Sequence, residues 1–253
     1  MIRNSRHRFS EKIMLKQKAR ALSRFNFRRW RSRLALPFLI ALSALVAGGD
    51  AHAFERNRPG EFDYYVLVLS WAPSYCRSDG RDGKDAQCDG SKPRAFLLHG
   101  LWPQYQKGWP EDCPTGKRPW VPSRVIDDMR DIMPSKTLII HEYRAHGTCS
   151  GLDPAQYFGV ARELYERVSV PERFTAPEAA RLATADEIER EFTGANSWLK
   201  PEMISVSCRG PNLLDIRICF GRDLFPQACG VNEEQKRLCR ASKVTVPPAA
   251  ARR

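Results

Sequence analysis

The 253-residue sequence has no Cys-x-x-Cys pair, no internal repeat and no apolar run as long as a membrane span. Each absence removes a class of protein. The closest cysteines stand ten residues apart, which argues against a thiolate metal site and leaves the eight cysteines for disulfides. The longest apolar run, LALPFLIALSALVAGG at 34–49, falls short of the roughly 20 residues a spanning helix needs. Charge is scarce where it would matter. The formal +12 suggests a nucleic-acid binder, but Lys and Arg outnumber Asp and Glu by ten within residues 1–53, so the remainder carries only +2. Any affinity for phosphate must come from local placement of charge.

What is present begins with an export signal. A long basic stretch, the apolar 34–49 and then Ala51-His52-Ala53 follow the order of a signal peptide, residues 1–53, cut after Ala53 and leaving no membrane anchor. The expected location is periplasmic or secreted. All eight cysteines (76, 88, 113, 149, 208, 219, 229 and 239) lie beyond the cut, and an even count suits an oxidising compartment. Eight cysteines allow 105 pairings. About 200 residues then remain, enough for one core.

Along that stretch, FDYYVLVLSWAP after Glu61 reads as a central strand covered on both faces and ended by Pro73. A polar Gly/Asp-rich loop at 76–94 follows, and Ala95–Leu98 reads as a second buried strand with His99 at its tip. Five prolines make 103–122 an irregular loop. Helices are expected from Ser123 to about Met133, over 138–147, from Pro154 to Val168, from Pro177 to about Leu182, and after the capping box that opens at Thr184. MISVSC and LLDIRICF around Arg209-Gly-Pro-Asn212 form a hairpin, and the tail at 241–253 is expected to be disordered.

The chemistry concentrates in LIIHEYRAHGTCSG at 138–151. At about 100° per residue, His141, Glu142, Ala145 and His146 share one helical face, while Arg144 points elsewhere. Two imidazoles and a carboxylate can provide a base, a second proton donor and an anion to orient them. His99, within FLLHGLWPQY, is the one other histidine beyond residue 53. A single histidine is more often a surface or core residue than a catalyst; three gathered in two motifs are a different matter. HE-x-x-x-H spaces its histidines five apart, against four in zinc-binding HExxH, so a metalloprotease does not fit.

HGLWP at 99–103 together with HE-x-x-x-HGTC at 141–149 resembles the two active-site segments of the ribonuclease T-two family, and LSWAPSYC at 69–76 resembles its opening strand. The resemblance covers roughly 61–240, within an expected catalytic domain at 54–240. It implies an α+β fold, a central largely antiparallel sheet packed with helices in one disulfide-stapled domain, acting as a monomer without metal or cofactor. It implies an exported endoribonuclease of the transferase or lyase type: the ribose 2′-hydroxyl attacks the adjacent phosphate of single-stranded RNA, a 2′,3′-cyclic phosphate forms, and hydrolysis then leaves a 3′-phosphate. DNA, lacking that hydroxyl, is not cut.

By the same resemblance His146 is the general base, His99 the general acid, and Glu142 helps to hold His146 and the phosphate. His141 contacts the phosphate, Trp102 stacks on a base, and Gln104 shares in base preference. The implied bridges are Cys113–Cys149, Cys208–Cys239, Cys219–Cys229 and Cys76–Cys88. One position departs from the family pattern. Where a lysine usually precedes the second histidine of the helix, this chain has Ala145, so Ala145→Lys is expected to raise the rate if the missing cation limits it. The alternative implied by this departure is a catalytically weak RNA-binding or inhibitory protein on the same fold.

Overall fold

The strand YYVLVLSW, β1 (Tyr64–Trp71), has all eight residues buried, and the remaining elements are laid against it. The computed structural model describes residues 57–78, 85–88 and 94–249; the expected signal peptide, most of the loop after Cys76 and the last four residues lie outside them. From Arg58 onward the chain forms one compact unit. A strand with no polar alternation must be covered on both faces and paired on both edges. Here β1 lies between β2 (Phe96–Gln104) and β5 (Asn212–Gly221), antiparallel to both. With β3 (Arg181–Ala183) and β6 (Val244–Val246) at the far side, the sheet runs β2-β1-β5-β6-β3, and β4 (Ile204–Arg209) is paired to β5 in the hairpin around Gly210.

The longer helices among the described residues are α1 (Ala72–Ser78), α2 (Ser123–Met129), α3 (Lys136–Glu142), α4 (Pro154–Arg167) and α5 (Ala185–Ala195). Local sequence explains their starts. Asp153 accepts from the Gln156 N–H and Gln156 reaches back to the Asp153 N–H, while Thr184 and Glu187 form the same reciprocal cap on α5. Pro154 occupies the first turn of α4, where no N–H is needed. The α4 residue Tyr157 is fully buried, and its hydroxyl donates to the Leu101 carbonyl at 3.0 Å and accepts from the Leu101 N–H at 3.3 Å. That satisfies the backbone of β2 just past the HG of HGLWP.

Three expectations are corrected. The second strand does not stop at Leu98: β2 continues through HGLWPQ to Gln104, and His99 sits inside it. Proline at 103 is tolerated because β2 is the sheet's edge. Residues 177–182 are not helical; Arg181–Ala183 form β3. The tail is not disordered where it is described: Val244–Val246 form β6, paired with β3, and Val244 and Val246 are fully buried. The Trp71 indole donates to the Pro247 carbonyl at 3.1 Å, and the Ala249 N–H to that of Pro177 at 2.8 Å. Each of these two short strands exists because the other, about sixty residues away, supplies its hydrogen bonds, which composition cannot reveal.

Four disulfides close the described chain: Cys76–Cys88, Cys113–Cys149, Cys208–Cys239 and Cys219–Cys229. Cys113–Cys149 ties the proline-rich loop to the turn after α3. Backbone bonds reinforce it, the Asp112 N–H donating to the Ala145 carbonyl at 2.9 Å. Replacing both cysteines by serine reopens a link of sequence separation 36. The expected loss is about 2–4 kcal/mol, measured as a lower urea midpoint. An unchanged midpoint would show that the backbone bonds hold the loop without the bridge.

Candidate active site

Two backbone irregularities aim the candidate residues. On β2, Gly100 pairs with Val68 while Leu98 pairs with Leu69, so His99 is the extra, unpaired residue of a bulge. Bulges bend a strand and re-aim its side chain, and this one turns an imidazole out of an otherwise buried strand. The His99 side chain is 35% exposed. The second irregularity follows α3, where Tyr143–Gly147 form a π turn rather than a continuing α-helix. Such turns are rare and wider than an α turn. Glu142, just before it, is buried; His146, within it, is half-buried; and His141 is exposed.

These elements converge on Trp102. Its indole N–H donates to Glu142 Oε2 at 2.8 Å, and the other carboxylate oxygen lies 3.3 Å from His99 Nε2. Ring centroids place His99 5.5 Å and His146 5.1 Å from Trp102. The carboxylate expected to hold His146 instead has His99 and Trp102 as its hydrogen-bonding partners, and it reaches His146 only through its charge. His146 Nδ1 is buried with no partner among the described residues, so none of them fixes its tautomer.

The two imidazoles are displaced in opposite directions. Burial pulls the His99 pKa down, but hydrogen bonding to Glu142, the Glu142 charge and more distant Asp215 outweigh it, so the net displacement is above the ordinary 6.5. For His146 burial dominates, and despite the Glu142 charge its pKa lies below 6.5. Burial would raise Glu142, yet His99, His146 and the Trp102 N–H hold it below the ordinary 4.5. Near neutral pH this leaves one imidazole disposed to give a proton, another disposed to take one, and an anion beside the donor. Groups whose environments push their pKa values apart are how acid and base roles are assigned within one cleft.

A match to the Ribonuclease T2 family spans residues 62–229, which includes both histidine segments. The chain belongs to this family. It is 38% identical over 138 residues to a ribonuclease of Aeromonas hydrophila, a stretch covering 54% of this chain and 61% of that protein. It is 28% identical over 239 residues to ribonuclease I of Escherichia coli, covering 77% and 88%. The chain thus spans less than two thirds of the Aeromonas protein. Among solved structures, an RNase-related protein from Calystegia sepium shares the fold, with a TM-score of 0.58 at 21% identity over 74% of this chain and 98% of that one.

In this member of the ribonuclease T2 family, Gly100 is set by space. A Cβ there would collide with the Glu142 carboxylate and lie 2.9 Å from Trp102 Nε1. Gly100→Ala is therefore expected to displace the carboxylate from both partners, to destabilise by about 1–3 kcal/mol, and to suppress activity. A thermal melt and a cleavage assay check it; an unshifted melt with full activity would mean that β2 can move aside at no cost.

Gln104 is 3% exposed, and its side-chain carbonyl accepts from Asn232 Nδ2 at 3.0 Å. Its amide is thus bound inside the fold at the end of β2. Arg144, beside Ala145, donates from Nε to the Pro119 carbonyl at 3.3 Å, and Ala145 itself is 2% exposed. Sequence reasoning gave no role to Asp215 and Arg217. Arg217 Nε donates to Asp215 Oδ1 at 2.9 Å, and its Cζ stands 5.2 Å from the Trp102 ring centroid. The available signal was their i, i+2 spacing on a strand, which puts both on one face.

Proposed function

We propose that the chain is an exported, metal-independent endoribonuclease that cleaves single-stranded RNA by attack of the 2′-hydroxyl on the adjacent phosphate. The observation that carries this reading is the pair of oppositely displaced imidazoles, His99 and His146, set on either motif around one indole. Neutral His146 takes the proton from O2′ as the O2′–P bond forms. Protonated His99 gives its proton to O5′ as the P–O5′ bond breaks, leaving a 2′,3′-cyclic phosphate and a 5′-hydroxyl. Each imidazole then holds the proton state the other started with, which suits hydrolysis of the cyclic product to a 3′-phosphate with the roles exchanged.

Glu142 acts on the acid: its carboxylate orients His99 and Trp102 and favours the imidazolium. His141, exposed and close enough for its charge to act on His146, is available to the phosphate. Trp102 is assigned to the base by its π-face, whereas Gln104, expected to share in base preference, is buried and held by Asn232 and so braces the end of β2 from inside the fold. Four disulfides suit a periplasmic or secreted monomer.

The second reading, an RNA binder with weak or no turnover, is favoured by one observation: Ala145 brings no cation, and neighbouring Arg144 is bound to Pro119. One experiment separates the two. Mature protein is incubated in chelator with a single-stranded RNA and with DNA of the same sequence, and the product ends are identified. Cyclic phosphate ends from RNA alone support the enzyme; retarded but intact RNA supports the binder.

A further inference from the structure

The cation missing from the helix has a counterpart on the sheet. Arg217 of β5 pairs with Val68 of β1, and Val68 pairs on its other side with Gly100 of β2. Directly paired residues project from the same face, so Arg217 emerges on the face that carries Trp102, whose partner is Val66. The structure bears this out in contact: the guanidinium carbon lies 5.2 Å from the Trp102 ring centroid, a cation against a π-face. Trp102 is also the ring beside which both imidazoles stand.

The guanidinium is held rather than free. Its Nε donates to Asp215, with the two side chains only 18% and 6% exposed. That fixes one side of the fork, and neither terminal nitrogen has a hydrogen-bond partner among the described residues. Its charge is felt at His99, where it opposes Glu142 and Asp215, and at Glu233, which is hydrogen-bonded to the Tyr64 hydroxyl behind it. A half-buried, pre-oriented cation with two unused terminal NH2 groups, beside the proposed acid, matches what a phosphate gaining negative charge requires.

We propose that Arg217 supplies the reacting phosphate with the positive charge that the helix lacks at position 145, its terminal N–H groups donating to the non-bridging oxygens. Asp215 is the positioning residue that aims it. No proton leaves Arg217: O2′ still gives its proton to His146, and O5′ still takes one from His99. The proposal rests on the ribonuclease reading and deepens it.

The test compares wild type, Arg217→Ala and Arg217→Lys on a short single-stranded RNA, with each non-bridging oxygen of the scissile phosphate replaced in turn by sulfur. Melting curves run alongside. Arg217→Ala is expected to lose about 10²–10³-fold in kcat, and Arg217→Lys to lose less. Sulfur at the contacted oxygen is expected to slow the wild type, and that penalty is expected to shrink in Arg217→Ala because the contact is already gone. A variant rate within threefold of wild type overturns the proposal. So does a large loss in which the sulfur penalty is unchanged, which would assign Arg217 only to holding Trp102. RNA left uncut by wild type would remove the ribonuclease reading and this proposal together, whereas the other two outcomes leave that reading standing.

Discussion

His146→Ala and His99→Ala are each expected to lower RNA cleavage by about 10²–10⁴-fold while leaving the protein folded. The size follows from losing a positioned proton acceptor or donor from a transition state that needs both. Folding survives because neither imidazole is a core residue: His99 leaves its strand at a bulge, and His146 makes no hydrogen bond from its buried Nδ1 to any described residue. Single-turnover cleavage and melting curves measure the two effects separately. The pH profiles carry further information. Wild type is expected to give a bell, rising as His146 loses its proton below 6.5 and falling as His99 loses its own above it. His146→Ala removes the acid limb of the residual activity, and His99→Ala removes the alkaline limb. Full activity in either variant would end the assignment of that residue.

Glu142→Gln is the second large effect, and it acts through His99. The amide has nearly the shape of the carboxylate and keeps an oxygen for the Trp102 N–H, so packing changes little. What disappears is the anion beside His99. Burial then acts on that imidazole with only Asp215 against it, and its pKa falls. Each unit of fall costs about tenfold in the protonated fraction at pH values above it, so the alkaline limb moves toward neutral and the rate near pH 7 drops. An alkaline limb that stays in place would show that Glu142 does not set the acid's proton affinity.

Stability responds as well. Because the Glu142 pKa is depressed in the folded state, its ionised form stabilises the fold above the ordinary 4.5, and that contribution disappears as pH falls through the lowered value. Glu142→Gln is expected to flatten this part of the acid dependence, read from melting temperature against pH.

The resemblance stated from HGLWP and HE-x-x-x-HGTC reached the family because both segments are contiguous, and contiguous residues keep their types and spacing whatever the rest of the chain does. The site itself was less legible. Glu142 and His146, four apart, would meet on an α-helix, but a π turn intervenes and the carboxylate pairs across to β2. His99 was expected at a strand tip and instead leaves the middle of β2 by a bulge, which is a property of two strands in register and of neither alone.

By itself, then, the sequence determined what is encoded locally: the nearly continuously apolar β1, the caps at Asp153 and Thr184, the hairpin around Gly210, and the histidines and carboxylate that can trade protons. Tertiary structure decided which of them meet. Trp102 became the common neighbour of His99, His146, Glu142 and Arg217, and the strands at 181–183 and 244–246 found each other across about sixty residues. The reason is physical. Helix period, caps and turns depend on neighbours a few positions away, whereas a ladder's register and a buried charge's partner depend on chain that is distant in sequence and near only after folding.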